Sequence, residues 1–270
     1  MKRFRATMMA LEAAHTPRGD RRVPTVGWTT MAAVEEQRIL REREHAHRIL
    51  EFDEAHWGWS TPAGRIRRGR REVFLVGEPS SDLAVLEVGC GSGTFTGALA
   101  SVFPHLVAID VAETLVEVAR SRHPAANVVV MDAHHLKFGD ESFDLVVGCS
   151  VLHHLDWSAA LREIHRVLKP GGRMRFSEPN LANPQIFVQK NWPWLKRRLG
   201  DSPDEYAFTA SRIARDLKSV GFAEITAEPY EFLHPAVPAS AIHVVVQLER
   251  WLEGTPLRHI AGSLRITARK

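Results

Sequence analysis

The sequence predicts an α/β protein in which helices cover both faces of a doubly wound, mostly parallel seven-stranded sheet. Short apolar segments rich in Val, Ile and Leu alternate with helix-compatible segments through most of the chain. Such alternation is typical of parallel strands that are buried on both faces, joined by right-handed crossovers. The chain has 270 residues, of which 44% are hydrophobic, which is enough for one large domain with a buried core.

The elements follow from local patterns. Before the sheet, helical segments are predicted over 31–54 and 63–77. The predicted strands are 85–88, 106–110, 128–131, 143–149, 173–178, 224–230 and 263–268, with a turn at 169–172. The helices between and after the first strands are predicted at 94–102, 113–122, 158–168, 210–220 and 240–253.

Three regions follow from this pattern. Residues 1–30 lack sustained periodicity, so we expect a flexible extension there. Residues 31–80 are predicted to form an N-terminal helical cap, and residues 81–270 the core. Within the core, residues 180–205 are too long for an ordinary connection, and we interpret them as an insertion that covers the site.

Charge and cysteine usage exclude several classes of protein. The formal net charge of +3 is too small to indicate nucleic-acid binding by itself. The two cysteines, Cys90 and Cys149, form neither a metal-binding spacing nor a disulfide framework, which fits a cytoplasmic protein. No apolar run approaches the roughly 20 residues that a membrane-spanning helix needs.

A glycine-rich segment follows the first predicted strand. Gly89, Gly91 and Gly93 alternate with other residues, and glycines there allow positive φ and close approach of a ligand. A dinucleotide fingerprint needs the spacing Gly-x-Gly-x-x-Gly. Thr94 and Thr96 occupy the positions where its third glycine would fall, so the spacing disfavours a nicotinamide site.

Acidic residues end the neighbouring strands at the same edge of the sheet. Asp110 ends the second strand, where an acid commonly accepts hydrogen bonds from ribose hydroxyls. Asp132 follows the third strand, where a carboxylate can accept from an adenine amino group. Glu87 lies inside the first strand, an unfavourable place for a charge unless it faces a polar ligand or backbone amides. This rim suits a ligand with a ribose, an adenine and a positive charge.

Five segments together resemble the class I S-adenosylmethionine-dependent methyltransferases, most closely the small-molecule branch with ubiquinone-type and natural-product enzymes. The segments, which lie within residues 83–179, are EVGCGSG, AID, MDAHHLKFGDESFDLVV, SVLHHL and EIHRVLKPGGRMRFSEP. The resemblance implies a Rossmann-like methyltransferase fold and S-adenosylmethionine as the cofactor.

The resemblance also implies roles for single residues. The glycine loop, with Cys90 as a small filler, would wrap the methionine and ribose. Asp110 would hold the ribose hydroxyls, and Val111 would lie against the adenine. The adenine edge would contact Asp132 and Ala133, and Ser150 would face the methionine portion and the sulfonium.

Methyl transfer needs alignment, a dry pocket and often a base for the proton of the acceptor. His153 and His154 follow the fourth strand, on the loop that the resemblance places beside the methyl group, and a neutral imidazole is the natural base near pH 7. Each histidine is either a candidate base or only a support for the loop. Glu178 ends the fifth strand and either faces the acceptor or is a paired rim carboxylate. No metal site is predicted, and His134 and His135 are interpreted as loop residues.

Aromatic and basic residues flank the predicted core. Trp57 and Trp59 either close over the sulfonium, since aromatic rings attract cations, or pack the N-terminal helix onto the core. The arginines of RIRRGRR (65–71) are expected to be mostly solvated, with one or two facing an anionic substrate. The insertion 180–205 mixes aromatic and basic residues, so it is predicted to be an amphipathic lid, with attachment to a membrane surface as the alternative.

The sequence therefore predicts an enzyme that methylates O, N or C of a small molecule such as a natural product, a lipid or quinone, or a sugar. One alternative is a tRNA or rRNA methyltransferase. It is disfavoured because the fourth strand leads into GCSVLHH rather than an Asn/Asp-Pro-Pro-Tyr segment. Another alternative is a non-catalytic S-adenosylmethionine-binding protein. The expected partner is a small-molecule acceptor rather than nucleic acid, and a homodimer and peripheral membrane contact stay open.

Overall fold

The computed structural model describes residues 37–44, 46, 58–199, 201–202 and 205–270. All of them belong to one compact unit, Gln37–Lys270. The predictions for residues 1–30, for Trp57 and for much of the cap lie outside the described residues. The division into cap, core and lid therefore stays a prediction.

The core is a seven-stranded sheet in the order β3-β2-β1-β4-β5-β7-β6. The strands are β1 (Ala84–Val88), β2 (His105–Asp110), β3 (Asn127–Val130), β4 (Phe143–Cys149), β5 (Leu168–Pro179), β6 (Ala223–Tyr230) and β7 (Ser263–Arg269). The first five strands pair in parallel, while β7 is antiparallel to both of its neighbours, β5 and β6. The predicted mostly parallel, doubly wound, seven-stranded fold is confirmed. Strand order reverses beside β1, which makes the end of β1 the switch point where ligands bind in such sheets.

Eight α-helices of the described chain have defined ends. They are α1 (Pro62–Val76), α2 (Thr96–Ala100), α3 (Glu113–Arg122), α4 (Trp157–Val167), α5 (Pro184–Asn191), α6 (Pro193–Leu199), α7 (Ala210–Val220) and α8 (Ile242–Glu253). Residues 37–44 are also helical. Short 3-10 turns lie at Leu152–His154, Ala239–Ala241 and Pro256–Ile260.

Local sequence explains the start of the helix that faces the site. Thr61 caps α1, because its Oγ1 accepts a hydrogen bond from the Gly64 backbone N at 2.9 Å. Pro62 occupies the first turn, where no backbone donor is needed. The helix therefore begins at a fixed point beside the carboxyl edge of the sheet.

The sheet is buried on both faces. On β1, Leu86 and Val88 belong to the main core cluster, which includes Leu161 of α4 and Leu217 of α7. The alternate residue Val85 belongs to a second cluster, with side chains from α1 and α2. Successive side chains of a strand point to opposite faces, so this split shows a helical layer on each side. Among the described residues, no helix combines the length and apolar character that crossing a membrane requires.

Three local predictions differ from the structure. The predicted helix 94–102 is shortened to α2, since the glycine loop continues as turns up to Phe95. The predicted turn 169–172 lies inside β5, because Leu168 already pairs with Phe143 before the register shifts. The insertion 180–205 contains two helices, α5 and α6, which the sequence analysis did not identify.

Candidate active site

A cavity of about 1070 Å³ lies at the carboxyl edge of the sheet. Its walls include the last residues of β1, β2, β4 and β5, together with residues that follow β3 and β6. The predicted site residues that line it are Gly89, Cys90, Gly91, Asp110, Val111, Asp132, Ala133, Ser150, His153 and His154. Two predicted residues, Glu87 and Gly93, are not part of the lining. The volume is at the upper end for ligand pockets, so the cavity has room for two ligands side by side.

The glycine loop has an open position at its centre. Gly91 has φ 53°, and a Cβ built on it would meet no atom of the described residues within 4 Å. A side chain there would project into space that is left for a ligand. Gly93 has a different role, because a Cβ there would lie 2.8 Å from the His123 ring, whose Nε2 donates to the Gly93 carbonyl at 2.9 Å. Gly93 therefore serves packing rather than direct ligand contact.

Asp110 holds the glycine loop in place and can still accept further hydrogen bonds. Its Oδ2 accepts from the Gly91 backbone N and its Oδ1 from the Ala112 backbone N, both at 2.9 Å. Burial raises the pKa of Asp110, and these two backbone donors oppose the rise. Each carboxylate oxygen has a second lone pair, so ribose hydroxyls can still donate to it.

Cys90, between two of the glycines, is buried, and burial raises the pKa of its thiol well above the ordinary value. An un-ionised, buried thiol is a poor nucleophile. The structure thus places Cys90 as a small, inert part of the loop.

Asp132 is already engaged by protein groups on the adenine side. Its carboxylate forms an ion pair with Arg38 at 3.2 Å and accepts from the His134 backbone N at 3.0 Å and from His134 Nδ1 at 2.7 Å. Burial acts to raise the pKa of Asp132, but the His134 hydrogen bonds and Arg38 outweigh it and hold that pKa well below its usual range. Asp132 is therefore a fixed negative charge. His134 is a buried partner of it rather than a simple loop residue, while His135 is exposed.

Glu87 supports the glycine loop and does not line the cavity. The side chain is 3% exposed, and its Oε2 accepts a hydrogen bond from Thr96 Oγ1 at 2.7 Å. Burial raises the pKa of Glu87 to about 7, Thr96 opposes the rise, and the nearby Asp110 adds to it. The partner of this strand acid is thus the side chain of Thr96, the first residue of α2, rather than the polar ligand or backbone amides that the sequence analysis expected. The pair joins β1 to α2 across the glycine loop.

Ser150 follows β4 and has a strained backbone conformation. Its φ is 55°, in the left-handed region that non-glycine residues rarely adopt. The backbone N of Ser150 donates to the Ser177 carbonyl at 2.8 Å, which fixes this turn to β5. The next residue, Val151, would be 2.2 Å from a Cβ at Gly89, so the turn packs directly onto the glycine loop.

His153 is held by Glu178. His153 Nδ1 lies 2.8 Å from Glu178 Oε2, and Glu178 Oε1 accepts from the backbone N of Val151 and of Leu152 at 2.9 and 3.0 Å. The sequence analysis left two alternatives for Glu178: a group that faces the acceptor or a paired carboxylate. Because Glu178 is 1% exposed and both of its oxygens are engaged, it is the paired carboxylate. Because a carboxylate accepts from Nδ1, the proton of a neutral His153 lies on Nδ1, and Nε2 carries the free lone pair.

His154 has a different electrostatic environment. Its Nδ1 lies 3.5 Å from Glu42 Oε2 and 3.8 Å from Glu205 Oε1. Burial acts to lower the pKa of His154, but Glu205 and Glu42 outweigh it and raise that pKa. Burial and the neighbouring His154 lower the pKa of His153, although Glu178 acts in the opposite direction. The environment thus favours a neutral His153 beside a protonated His154.

Lys190 lies beside the acidic residues Glu205 and Asp201, close to His153 and His154. One donor atom each of His153, His154 and Glu205 lie within 4.8 Å of one another, an arrangement that can hold a metal ion. The Lys190 ammonium, however, already forms an ion pair with Glu205 Oε2 and lies 3.0 Å from Asp201 Oδ2. Like charges disfavour a divalent ion next to this ammonium, so the geometry supports a protein-only charge network.

A buried arginine cluster lies on the other side of the cavity. Arg71 is 4% exposed, and its Nη2 donates to Glu231 Oε2 at 2.7 Å and to Ser263 Oγ at 2.9 Å. Arg67 Nε lies 3.0 Å from the same Glu231 oxygen, and both guanidinium groups lie over the Trp59 ring. The expectation that these arginines are mostly solvated is wrong for Arg71. The i,i+4 spacing of Arg67 and Arg71 was the signal for one shared helix face.

Trp59 both lines the cavity and packs against the glycine loop, while its predicted place over a sulfonium stays a prediction. It lines the cavity, and its ring packs edge-on against Phe95 at the end of the glycine loop, with 5.7 Å between centroids. It therefore packs residues before α1 onto the loop while one part of it faces the ligand space.

Known proteins resemble this chain in sequence and in fold. A family described as methyltransferase domain matches residues 86–176. A demethylmenaquinone methyltransferase of Thermobifida fusca is 30% identical over 175 residues, which cover 59% of this chain and 73% of that protein. A malonyl-[acyl-carrier protein] O-methyltransferase of Methylococcus capsulatus is 32% identical over 148 residues, covering 52% of each chain.

The fold is also similar to that of solved structures. A Thermotoga maritima SAM-dependent methyltransferase, described as a possible histamine N-methyltransferase, shares it with a TM-score of 0.62 at 18% identity, covering 84% of this chain and 99% of that one. Together with the open position at Gly91 and the free acceptor capacity of Asp110, these similarities confirm the predicted enzyme class and cofactor. The chain belongs to the class I S-adenosylmethionine-dependent methyltransferases.

Proposed function

We propose that this enzyme methylates a hydroxylated aromatic ring of a lipophilic small molecule, with His153 as the general base. The observation that carries the proposal is the His153–Glu178 pair at the wall of a cavity with many apolar and aromatic lining side chains. The relatives named demethylmenaquinone methyltransferases, whose name denotes a quinone-type acceptor, support the same class of acceptor.

The residues on the β1–β2–β3 side would hold the cofactor. Asp110 would accept from the ribose hydroxyls, and Gly91 leaves the space that the ligand needs beside the backbone. Val111 and Ala133 line the cavity next to Asp110 and Asp132, where an adenine would fit. When bound, S-adenosylmethionine supplies an electrophilic methyl carbon whose leaving group needs no acid.

The protein's own residues then have two tasks: to remove the proton of the acceptor and to align the acceptor for the reaction. His153 Nε2 takes the proton of the acceptor hydroxyl, and the Glu178 carboxylate stabilises the imidazolium through Nδ1. His154, held by Glu42 and Glu205, favours its own protonated form and keeps the proton affinity of His153 low. Of the two candidate histidines, His153 therefore suits the role of base at neutral pH.

Apolar side chains form part of the acceptor side of the cavity, beside its charged groups. Trp59, Phe232 and Leu233 line it, and Ile186 and Leu199 contribute from α5 and α6. Burial of a flat, apolar ring against such side chains excludes water from the reacting atoms and favours a lipophilic acceptor. The two lid helices thereby take part in the choice of acceptor.

A second candidate is O-methylation of a carboxylate. The buried guanidinium groups of Arg71 and Arg67 share the single carboxylate of Glu231, which leaves one positive charge at the cavity wall. A relative that is a malonyl-[acyl-carrier protein] O-methyltransferase supports this reading. A carboxylate carries no proton to remove, so this reaction would not need His153.

The test is methyl transfer from a labelled donor to a panel of acceptors. The panel contains demethylated naphthoquinols, phenols, malonyl thioesters and unmodified tRNA. We expect label on the quinol or phenol, and loss of that label with His153→Ala. Label on the thioester that survives His153→Ala would identify the second candidate, and label on tRNA alone would contradict both.

A further inference from the structure

The outer surface of α5 and α6 exposes large apolar side chains. Phe187, Trp192 and Trp194 are 53%, 55% and 54% exposed. With the exposed Arg197 and Arg198 they form what we call the lid surface. Two exposed tryptophans, Trp192 between α5 and α6 and Trp194 in α6, are unusual for a surface in contact with water alone.

All charged residues of this segment are basic. Residues 184–199 contain four basic residues and no Asp or Glu. Lys190 turns inward to Glu205 and Asp201, and Lys196 Nζ donates to the Glu205 carbonyl. Arg197 and Arg198 remain exposed beside Trp194. The lid surface is therefore apolar and cationic, which is the composition of segments that lie in the interface of anionic membranes.

The other side of the same two helices reaches the cavity. Ile186, Gln189 and Lys190 of α5 and Leu199 of α6 belong to the cavity lining. Among the described residues, α5 and α6 thus lie between the lid surface and the cavity.

We propose that the lid surface docks onto an anionic phospholipid bilayer. The rings of Trp192 and Trp194 enter at the depth of the headgroups, and Arg197 and Arg198 face the lipid phosphates. A lipophilic acceptor then enters the cavity from the membrane side, and this part alone rests on the proposed function. A second copy of the chain is the less suitable occupant, because a two-fold contact through this surface would bring the arginines of both copies together.

Vesicle binding of the full chain tests the proposal. We expect the protein to co-sediment with vesicles of phosphatidylcholine and phosphatidylglycerol but weakly with phosphatidylcholine alone, and salt should reduce the binding. The double variant Arg197→Glu/Arg198→Glu should weaken it at least roughly tenfold, since each charge near an anionic surface contributes separately. Trp192→Ala/Trp194→Ala should weaken it and remove a blue shift of tryptophan emission on vesicles.

Matched controls lie elsewhere on the surface. Trp251 on α8 is 63% exposed, and Arg215 on α7 is an exposed arginine, so Trp251→Ala and Arg215→Glu should bind vesicles like the parent protein. Equal vesicle binding by the lid variants and the parent protein, or no vesicle binding at all, would overturn the proposal. A change from dimer to monomer in the tryptophan variant with unchanged vesicle binding would instead identify a subunit interface. Vesicle binding without quinol methylation would sustain the docking and contradict the proposed acceptor.

Discussion

The carboxylate of Glu178 contacts His153 Nδ1 at 2.8 Å and, through its other oxygen, the backbone N of Val151 and of Leu152. One buried group at the end of β5 therefore sets both the fold of the loop after β4 and the orientation of the imidazole on it. The proton position on His153 follows from this contact, because the carboxylate only accepts. The base chemistry that we propose for His153 depends on that arrangement.

His153→Ala should lower kcat by roughly 10²–10⁴ with little change in cofactor affinity, since it removes the proton acceptor but no cofactor contact. Turnover kinetics and calorimetry with S-adenosylhomocysteine would measure the two effects. His154→Ala is the matched control and should lower kcat less. Equal, near-normal rates for both variants at every pH would show that alignment alone drives the reaction.

The pH dependence of kcat should reflect the lowered pKa of His153. Burial and His154 lower this pKa below the ordinary value of 6.5, so the neutral base persists as the pH falls through 6.5. The rate should decline only at a lower pH, where His153 becomes protonated. A decline centred above 6.5 would instead point to His154, whose pKa is raised.

Glu178→Gln should impair the base without removing it. The amide oxygen can still accept from the loop backbone, but the amide NH₂ would then face His153 Nδ1 and favour the tautomer with its proton on Nε2. We expect kcat to fall by roughly 10²–10⁴, as happens when a triad carboxylate is replaced by its amide. A purely structural Glu178 would change the melting temperature and KM while leaving the pH profile of kcat unaltered.

Sequence patterns sufficed for elements whose signal is local. The strands β1–β4 were recognisable because each contains a short apolar run, and the glycine loop, Asp110 and Asp132 are adjacent to strand ends. The start of β5 was missed, since Leu168 joins the sheet only through its pairing with Phe143. The helices α5 and α6 were missed because each is short and begins with a proline that also reads as a turn.

Local sequence patterns could not predict which side chains of the site contact one another. Arg38 and Asp132 are 94 residues apart, and no periodicity relates them. Glu42 and His154 are likewise joined only by the folded chain. The proposed choice of His153 over His154 rests on Glu178, Glu42 and Glu205, which only the folded chain brings to the two histidines. The sequence therefore left both histidines as candidates.

Gly91→Val should abolish cofactor binding while the protein stays folded. The new side chain would enter the open space beside the loop, and a branched residue is strained at φ 53°. Gly69→Ala is a suitable control, since Gly69 lies in α1 and its Cβ would also meet nothing within 4 Å. It should bind cofactor normally and gain up to about 1 kcal/mol in stability. Calorimetry and thermal melting distinguish the two variants, and normal binding by Gly91→Val would contradict the assigned ligand space.

Glu87→Gln should change how stability depends on pH. The folded pKa of about 7 lies above the ordinary 4.5, so the contribution of this carboxyl is fully present below pH 4.5 and is lost as pH rises through 7. The loss is on the order of 3 kcal/mol for a group this buried. The variant should therefore lose less stability than the parent between pH 5 and pH 8 in denaturant titrations. Parallel pH profiles for the two proteins would mean that Glu87 is ionised in the folded state.

The strand order has a consequence for how the two halves of the cavity are made. The strands β1–β4 that carry the glycine loop, Asp110 and Asp132 follow one another in the chain, whereas β7 enters between β5 and β6 although it is synthesised after both. Until β7 arrives, the long edge of β5 has no partner, and Glu231 and Ser263 cannot meet Arg71. Unpaired edges of this kind are prone to aggregation. The nascent chain thus completes the β1–β4 half of the cavity first, and the half that contains Arg71, Glu231 and Ser263 depends on the late insertion of β7.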